Sequence, residues 1–356
     1  MRSHPSPNQE SSQSPDQFNP PHARRTSPPD GWQLNPPDEW RIKAAVLMGG
    51  ISREREVSIQ SGKCVADALK KAGVNVIPSD IKPDALDILD DETIDVFFIA
   101  LHGTFGEDGQ LQKILESKDL IYTGSSSRAS RLAFDKWESK KRFTAAGVKM
   151  PDSILFEPDK KNARLEERIR QLGKKYVIKP LREGSTIGIS IADDPKEAVE
   201  AAKKCAAEFG ECMIERFIKG REITVSILGK QALPILEIRP PAGFYDYHAK
   251  YIDDKTEYLF DSINDPALVD KIQESAITCF NSLGCRGAAR VDFIIGEDGE
   301  PYVLEINTIP GMTSHSLLPK AAAKIGLSMS RLCLKIVELA LADSAIAHKT
   351  DDRTRL

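Results

Sequence analysis

The sequence predicts a mixed protein, part α/β and part α+β, and three stretches carry the prediction. The first, Asp95-Val-Phe-Phe-Ile-Ala-Leu101, is a continuous apolar run of strand length, as expected for a strand covered on both faces of a parallel sheet. The second, Arg290 to Asn307, alternates apolar and polar residues on either side of Asp298-Gly299, the pattern of an antiparallel hairpin. The third, Lys175-Tyr-Val-Ile-Lys179, is a strand that delivers a lysine into a glycine- and hydroxyl-rich loop. At 356 residues the chain has room for two or three domains, and 40% hydrophobic content suits a soluble fold.

Composition narrows the function. A formal charge of -4 without a basic stripe argues against a nucleic-acid surface, which needs clustered Lys and Arg. The longest apolar run, Val96 to Leu101, is far shorter than a membrane span, and the start MRSHPSPNQESS has no signal-peptide core, so a cytoplasmic protein with no membrane partner is expected. The six cysteines fall without a CxxC or Cys/His spacing, which points to reduced core residues and away from zinc. A small-molecule substrate is expected.

Taken in order, residues 1–39 hold nine of the 22 prolines, six serines and Leu34 as their only Leu, Ile or Val. Such a segment cannot bury enough surface to offset its ordering entropy, and it is read as a disordered tail. A strand follows from Lys43 (KAAVLM) to Gly49-Gly50, then a helix with Val57, Cys64, Val65, Ala68 and Leu69 at helical spacing, then a strand Asn75 to Ile77. His102-Gly103 closes the strand 95–101 at its carboxyl end, where open α/β sheets place ligands. No G-x-G-x-x-G accompanies it, which argues against a nicotinamide dinucleotide. Glu54, in ISREREVS beyond the Gly49-Gly50 turn, is either a solvated helix-start acid or a holder for a substrate ammonium.

From about Asp135 the character changes. Lys136 to Ala145 reads as a basic amphipathic helix, and Lys179 runs into Pro180-Leu-Arg-Glu-Gly184-Ser185-Thr186-Ile-Gly188. With no Walker motif in the chain, such a loop is either a plain hairpin connection or a phosphate cover built from backbone N–H groups and a lysine. After a helix Asp194 to Ala207, the segment Glu215-Arg-Phe217-Ile218-Lys-Gly220-Arg-Glu222 is a strand breaking into a linker, a setting for a flat ligand such as adenine. Strands Ile223 to Leu228 and Leu233 to Ile238 lead to Pro240–Phe260, too irregular for an element and too aromatic for disorder, hence an ordered loop. A helix Ala267 to Leu283, the hairpin, a helix Met329 to Ala342 and a polar end complete the chain.

The hairpin carries the chemistry. Side chains two apart share a face, so Arg290 and Asp292 join Glu305 and Asn307 on a polar ledge, with Val291, Phe293, Leu304 and Ile306 assigned to the core. Two carboxylates and an amide are hard oxygen donors of the kind that hold Mg²⁺ and leave positions for phosphates. One Glu-x-Asn alone is also the pattern of a solvated face. Arg290 among the acids, and the small-residue turn Pro310-Gly311-Met312-Thr313-Ser314-His315-Ser316 opening a helix, favour anions held alongside a metal.

With these residues assembled, the pattern resembles the ATP-grasp superfamily of carboxylate-amine ligases, and within it the D-alanine–D-alanine ligase family. The likeness rests on GGISREREVS (49–58), ALHGTFGEDG (100–109), KPLREGSTIGIS (179–190), FYDYHAKY (244–251) and LEINTIPGMTSHSLLP (304–319), in order over about Ile42 to Ala342. It implies an ATP-grasp fold: tail 1–39, a Rossmann-like substrate domain 40–134, a central domain 135–220 and a catalytic domain 221–345 sandwiching ATP, and a polar end 346–356. It further implies ATP-dependent joining of two D-alanines through a D-alanyl phosphate for peptidoglycan precursors, with ATP and two Mg²⁺ (or Mn²⁺), in a homodimer. By position, Lys136 and Lys179 would hold phosphates, Glu215, Phe217 and Ile218 adenine, Glu222 ribose, and Asp292, Glu305 and Asn307 the metals. Glu54, linked to Ser185 and Tyr251, would hold the first ammonium with His102 close by. Arg290 and the Gly311 N–H would face the oxyanion, Ser316 and the Leu317 N–H the second carboxylate, and Lys250 counts among the substrate-binding residues. Rival readings are a ligase making D-alanine–D-lactate or D-alanine–D-serine, and a nucleotide-binding regulator without catalysis.

Overall fold

The apolar run at 95–101 and the strand at 43 lie side by side in the first of three sheets. The computed structural model describes residues 42–158, 164–240 and 255–354, with side chains to 344. The tail 1–39 and the loop with Lys250 and Tyr251 lie outside the described residues. Strands β1 (Lys43–Gly49), β2 (Asn75–Ile81) and β3 (Val96–Ile99) are all parallel, in the order β2-β1-β3. Alternate residues of β1 serve two cores. Ala44, Val46 and Met48 pack with Val65 and Leu69 of helix α1 (Arg55–Lys71), and Ala45 and Leu47 pack on the opposite face with Phe97 and Ile99 and with Leu111 and Leu115 of α2 (Gln110–Ser117).

Helices α3 (Ser127–Phe134) and α4 (Lys136–Ala145) follow, separated by Asp135, whose carboxylate caps α4 by accepting from the N–H groups of Trp137 and Glu138. The second sheet, antiparallel in the order β4-β7-β5-β6, comprises β4 (Ser153–Phe156), β5 (Tyr176–Pro180), β6 (Ser190–Ala192) and β7 (Cys212–Arg216). One face packs Ile154, Tyr176, Ile178 and Ile214 against α5 (Leu165–Leu172) and α6 (Pro195–Phe209). The other presents Val177, Lys179 and Glu215 to a cleft.

The third sheet runs β11-β10-β8-β12-β13, with β9 (Gln231–Ala232) beside β8. Its strands are β8 (Gly220–Leu228), β10 (Leu236–Arg239), β11 (Glu257–Phe260), β12 (Ala288–Gly296) and β13 (Pro301–Asn307). Ile223, Val225, Val291, Phe293, Val303 and Ile306 form its buried face, against Phe143 of α4 and Ile272, Ala276 and Phe280 of α7 (Pro266–Leu283). The opposite face again looks into the cleft. Helices α8 (Leu317–Lys324) and α9 (Met329–Thr354) return to the first sheet: Leu318, Ala321, Leu332, Ile336 and Val337 share one core with Val46 and Leu69. No helix among the described residues is long and apolar enough to cross a membrane, and all six cysteines are free thiols.

Two expectations need correction here. Part of Pro240–Phe260 is regular, because Glu257–Phe260 pairs antiparallel with Leu236–Arg239. The last helix does not stop at Ala342 but runs to Thr354, since His348-Lys-Thr-Asp-Asp-Arg-Thr354 has no Gly or Pro to break it.

Gly220, where the linker enters β8, faces Gly296 across the ladder, and a Cβ there would stand 1.9 Å from the Ile295 carbonyl oxygen. Gly220→Ala must therefore push backbone against backbone, at an expected cost of about 1 to 3 kcal/mol. Thermal unfolding should show a melting temperature lowered by some degrees; an unchanged melt would mean that the strands do not need this close approach.

Candidate active site

Strand pairing builds the ledge. Arg290 is the Cα partner of Asn307 and Asp292 that of Glu305, so four polar side chains from two adjacent strands share one face. The register then slips: Phe293 pairs with Val303, and Leu304 is the extra residue of a β-bulge. This overturns the core assignment of Leu304. Val303 takes the fully buried position, and Leu304 lines the cleft beside Glu305 and Ile294.

Each acid of the ledge is held by a cation. Arg290 donates from Nε to Oδ1 and from Nη2 to Oδ2 of Asp292, both at 2.9 Å, and the Thr224 hydroxyl donates to Oδ1 at 2.6 Å. Lys136, at the start of α4, reaches Glu305 Oε2 at 3.1 Å and donates to the Glu183 carbonyl at 2.6 Å. No group of three His, Cys, Asp or Glu side chains that could hold a metal occurs among the described residues. Two carboxylates and the Asn307 amide instead make a partial set of hard donors, fitted to an ion that takes its other ligands from phosphates.

A second cluster faces the ledge. The β1 strand ends at Gly49, which with the following Gly50 holds a positive φ, and a Cβ on Gly49 would fall 2.0 Å from the Asp80 carboxylate. This turn places Glu54 just before α1, 7% exposed, where its Oε1 accepts from the Ser185 hydroxyl. Gly103 and Gly184 let two loops close on that carboxylate, since a Cβ on either would sit within about 3.0 Å of Glu54 Oε2. Ser185 and Thr186 hold φ of 48° and 66°, left-handed values that a β-branched threonine rarely takes, so the loop stores strain where it meets Glu54.

His102 is buried beside this cluster. Its Nε2 lies 3.1 Å from the Ser61 hydroxyl and its Nδ1 3.6 Å from Glu107 Oε1, while Glu107 Oε2 accepts from the Gly103 N–H. Burial alone would depress the imidazole pKa, but Glu107 and, less directly, Glu54 outweigh it and raise the value. Ser61 also accepts from the Met312 N–H at 3.2 Å, which ties α1 to the turn 310–316. In that turn Ser316 precedes α8, its Oγ accepts from the Thr313 N–H at 3.0 Å, and a Cβ on Gly311 would come 2.7 Å from it.

These groups line two adjoining chambers. One holds Glu54, His102, Arg290, Asn307, Gly311, Ser316 and Leu317; the other holds Lys179, Glu215, Phe217, Ile218 and Leu304. Lys136, Ser185, Glu222, Asp292 and Glu305 border both. Every candidate residue within the described structure thus faces one continuous cleft; Lys250 and Tyr251 are not among the described residues.

Comparison with known proteins gives the family. Residues 143–338 fit the family described as D-ala D-ala ligase C-terminus, and residues 85–125 its N-terminus. The chain belongs to the D-alanine–D-alanine ligase family. A curated member from Syntrophotalea carbinolica is 44% identical over 297 residues, covering 83% of this chain and 95% of the relative. The Bacillus anthracis D-alanine–D-alanine ligase complexed with ATP superposes with a TM-score of 0.76 at 36% identity, over 86% of this chain and 99% of that one. The D-Ala:D-Ser ligase VanG from Enterococcus faecalis gives 0.73 at 31%, over 84% and 99%. The fold is therefore the ATP-grasp fold of these ligases.

Within this family frame, some residues at the site carried no local signal. Glu107 sits in the loop HGTFGEDG, five residues after His102, and only the left-handed turn at Gly103 and Phe105 brings it back to the imidazole. Thr224 reads as one more strand residue until pairing sets it opposite Asp292. Lys140 looks like a solvated helix lysine, yet it is buried against Glu215.

Proposed function

We propose that the protein joins two D-alanines to D-alanyl-D-alanine with ATP, releasing ADP and phosphate. The observation that carries this reading is the meeting of the two chambers at the ledge, where Lys136, Asp292 and Glu305 border both. A nucleotide in the chamber of Lys179 and Phe217 would aim its terminal phosphate at an amino acid held in the chamber of Glu54.

In this reading Glu54 takes the ammonium of the first D-alanine, with Ser185 fixing the carboxylate. The carboxylate of that amino acid attacks the γ-phosphorus, the bond to the ADP oxygen breaks, and an acyl phosphate forms. The amine of the second D-alanine, its carboxylate at Ser316 and the Leu317 N–H, then adds to the acyl carbon; phosphate leaves and the amine gives up its proton. Both steps move negative charge between oxygens, so Arg290, Lys136 and Lys179 do electrostatic work with little reorganisation. Asp292, Glu305 and Asn307 would hold Mg²⁺, which would neutralise negative charge on the phosphate oxygens.

The likeness to VanG raises D-serine as a second substrate. The 44% identity to a D-alanine–D-alanine ligase, against 31% to VanG, favours D-alanine. The test is phosphate release and product analysis with ATP and Mg²⁺, offering D-alanine alone and then with D-serine or D-lactate. D-alanyl-D-alanine should dominate. A chain that releases no phosphate with D-alanine, or that makes chiefly the mixed product in competition, would overturn the reading.

A further inference from the structure

Behind the wall of the nucleotide chamber lies a buried cation for which the ligation steps above have no use. Lys140 follows Lys136 by four residues on α4, so the two share a face. Lys136 turns to the ledge; Lys140, 8% exposed, donates to the Pro151 carbonyl and to Glu215 Oε2, the latter at 2.9 Å. Glu215, only 1% exposed, accepts from Lys179 on its other oxygen. Lys179 and Glu215 line the cleft, whereas Lys140 stands behind them. Burial disfavours the charged carboxylate, yet the two ammonium groups overcome it and hold Glu215 below the usual carboxylate range. The same burial lowers the Lys140 pKa, opposed by Glu215 and Asp152 and reinforced by Lys179.

The charge count gives this arrangement a use. A Lys179–Glu215 pair alone would present a neutral wall, because the carboxylate would engage the ammonium with both oxygens. Two ammonium groups on one carboxylate carry a net positive charge, and Lys179 is the member that faces the cleft. We propose that Lys140 is a positioning residue for nucleotide phosphate: by occupying one oxygen of Glu215 from behind, it leaves Lys179 with charge and donors to spare for an anion. The inference rests on the nucleotide reading of this chamber. It differs from a role in recognising the base, which would not depend on the phosphates.

The experiment compares the binding of ADP and of adenosine to the full-length protein by calorimetry, for wild type, Lys140→Met, Lys140→Gln and Lys140→Arg. Glutamine carries two N–H donors toward the same partners without the charge, which gives a second, polar neutral variant if methionine does not fold. The neutral variants should bind ADP about tenfold more weakly, with adenosine changed by less than about threefold, and arginine should restore most of the ADP affinity. KM for ATP should rise in step while kcat falls less. Parallel losses for ADP and adenosine, or no loss for either, would overturn the role of Lys140. A wild-type protein that binds no ADP would instead remove the nucleotide reading on which it rests.

Discussion

Replacing Glu305 by glutamine should lower kcat/KM for ligation by about a thousandfold, or about 4 kcal/mol of transition-state stabilisation. The side chain keeps its size and one oxygen, so packing on the ledge is undisturbed; what disappears is one of the two carboxylate charges of the ledge, which in the proposed reading hold the metal at the phosphates. Glu305 is 31% exposed and paired to Lys136 at 3.1 Å, and a partly solvated pair of this kind contributes at most about 1 kcal/mol to stability. The melting temperature should therefore stay close to wild type. Asp292→Asn should behave alike in turnover, with a larger stability loss, because Asp292 also accepts from Arg290 and Thr224 in a buried setting. The measurement is phosphate release against Mg²⁺ concentration: the half-saturating concentration should rise steeply. Wild-type turnover in Glu305→Gln at limiting Mg²⁺ would remove the metal assignment.

Arg290→Ala should cost about a hundred- to a thousandfold in kcat, the usual scale for losing one preorganised donor at a developing oxyanion. Its side chain is 13% exposed, lines the chamber of Glu54 and is fixed in a two-point contact with Asp292. Lysine should not restore the rate, since a single ammonium cannot hold Asp292 at two points and still face the substrate. The Mg²⁺ requirement separates this role from bracing. Removing the guanidinium takes a competing cation away from Asp292, so the half-saturating Mg²⁺ concentration should hold steady or fall while kcat drops. Recovery of full activity on raising Mg²⁺ would show that Arg290 serves only to support the metal ligand.

Local pattern determined much of this protein. Period-two alternation on either side of Asp298-Gly299 placed Arg290, Asp292, Glu305 and Asn307 on one face, because strand side chains alternate whatever lies around them. The apolar run at 95–101 made a buried parallel strand beside β1, and Lys136 to Ala145 formed a helix with those bounds. Tertiary structure decided what depends on a partner strand or loop. Leu304 left the core because pairing with β12 inserts a bulge, and no single strand specifies its own register shift. The eight-residue helices α2, α3 and α5 are too short for their own periodicity to mark them, and packing on the sheets stabilises them. Lys140 reads as a solvated lysine until β7 carries Glu215 to within 2.9 Å, and Glu107 as a loop acid until the turn at Gly103 folds it onto His102. Such groups can be buried only as sets, and their members stand up to 75 residues apart in the chain, so the partners that offset their burial meet only once the fold has closed.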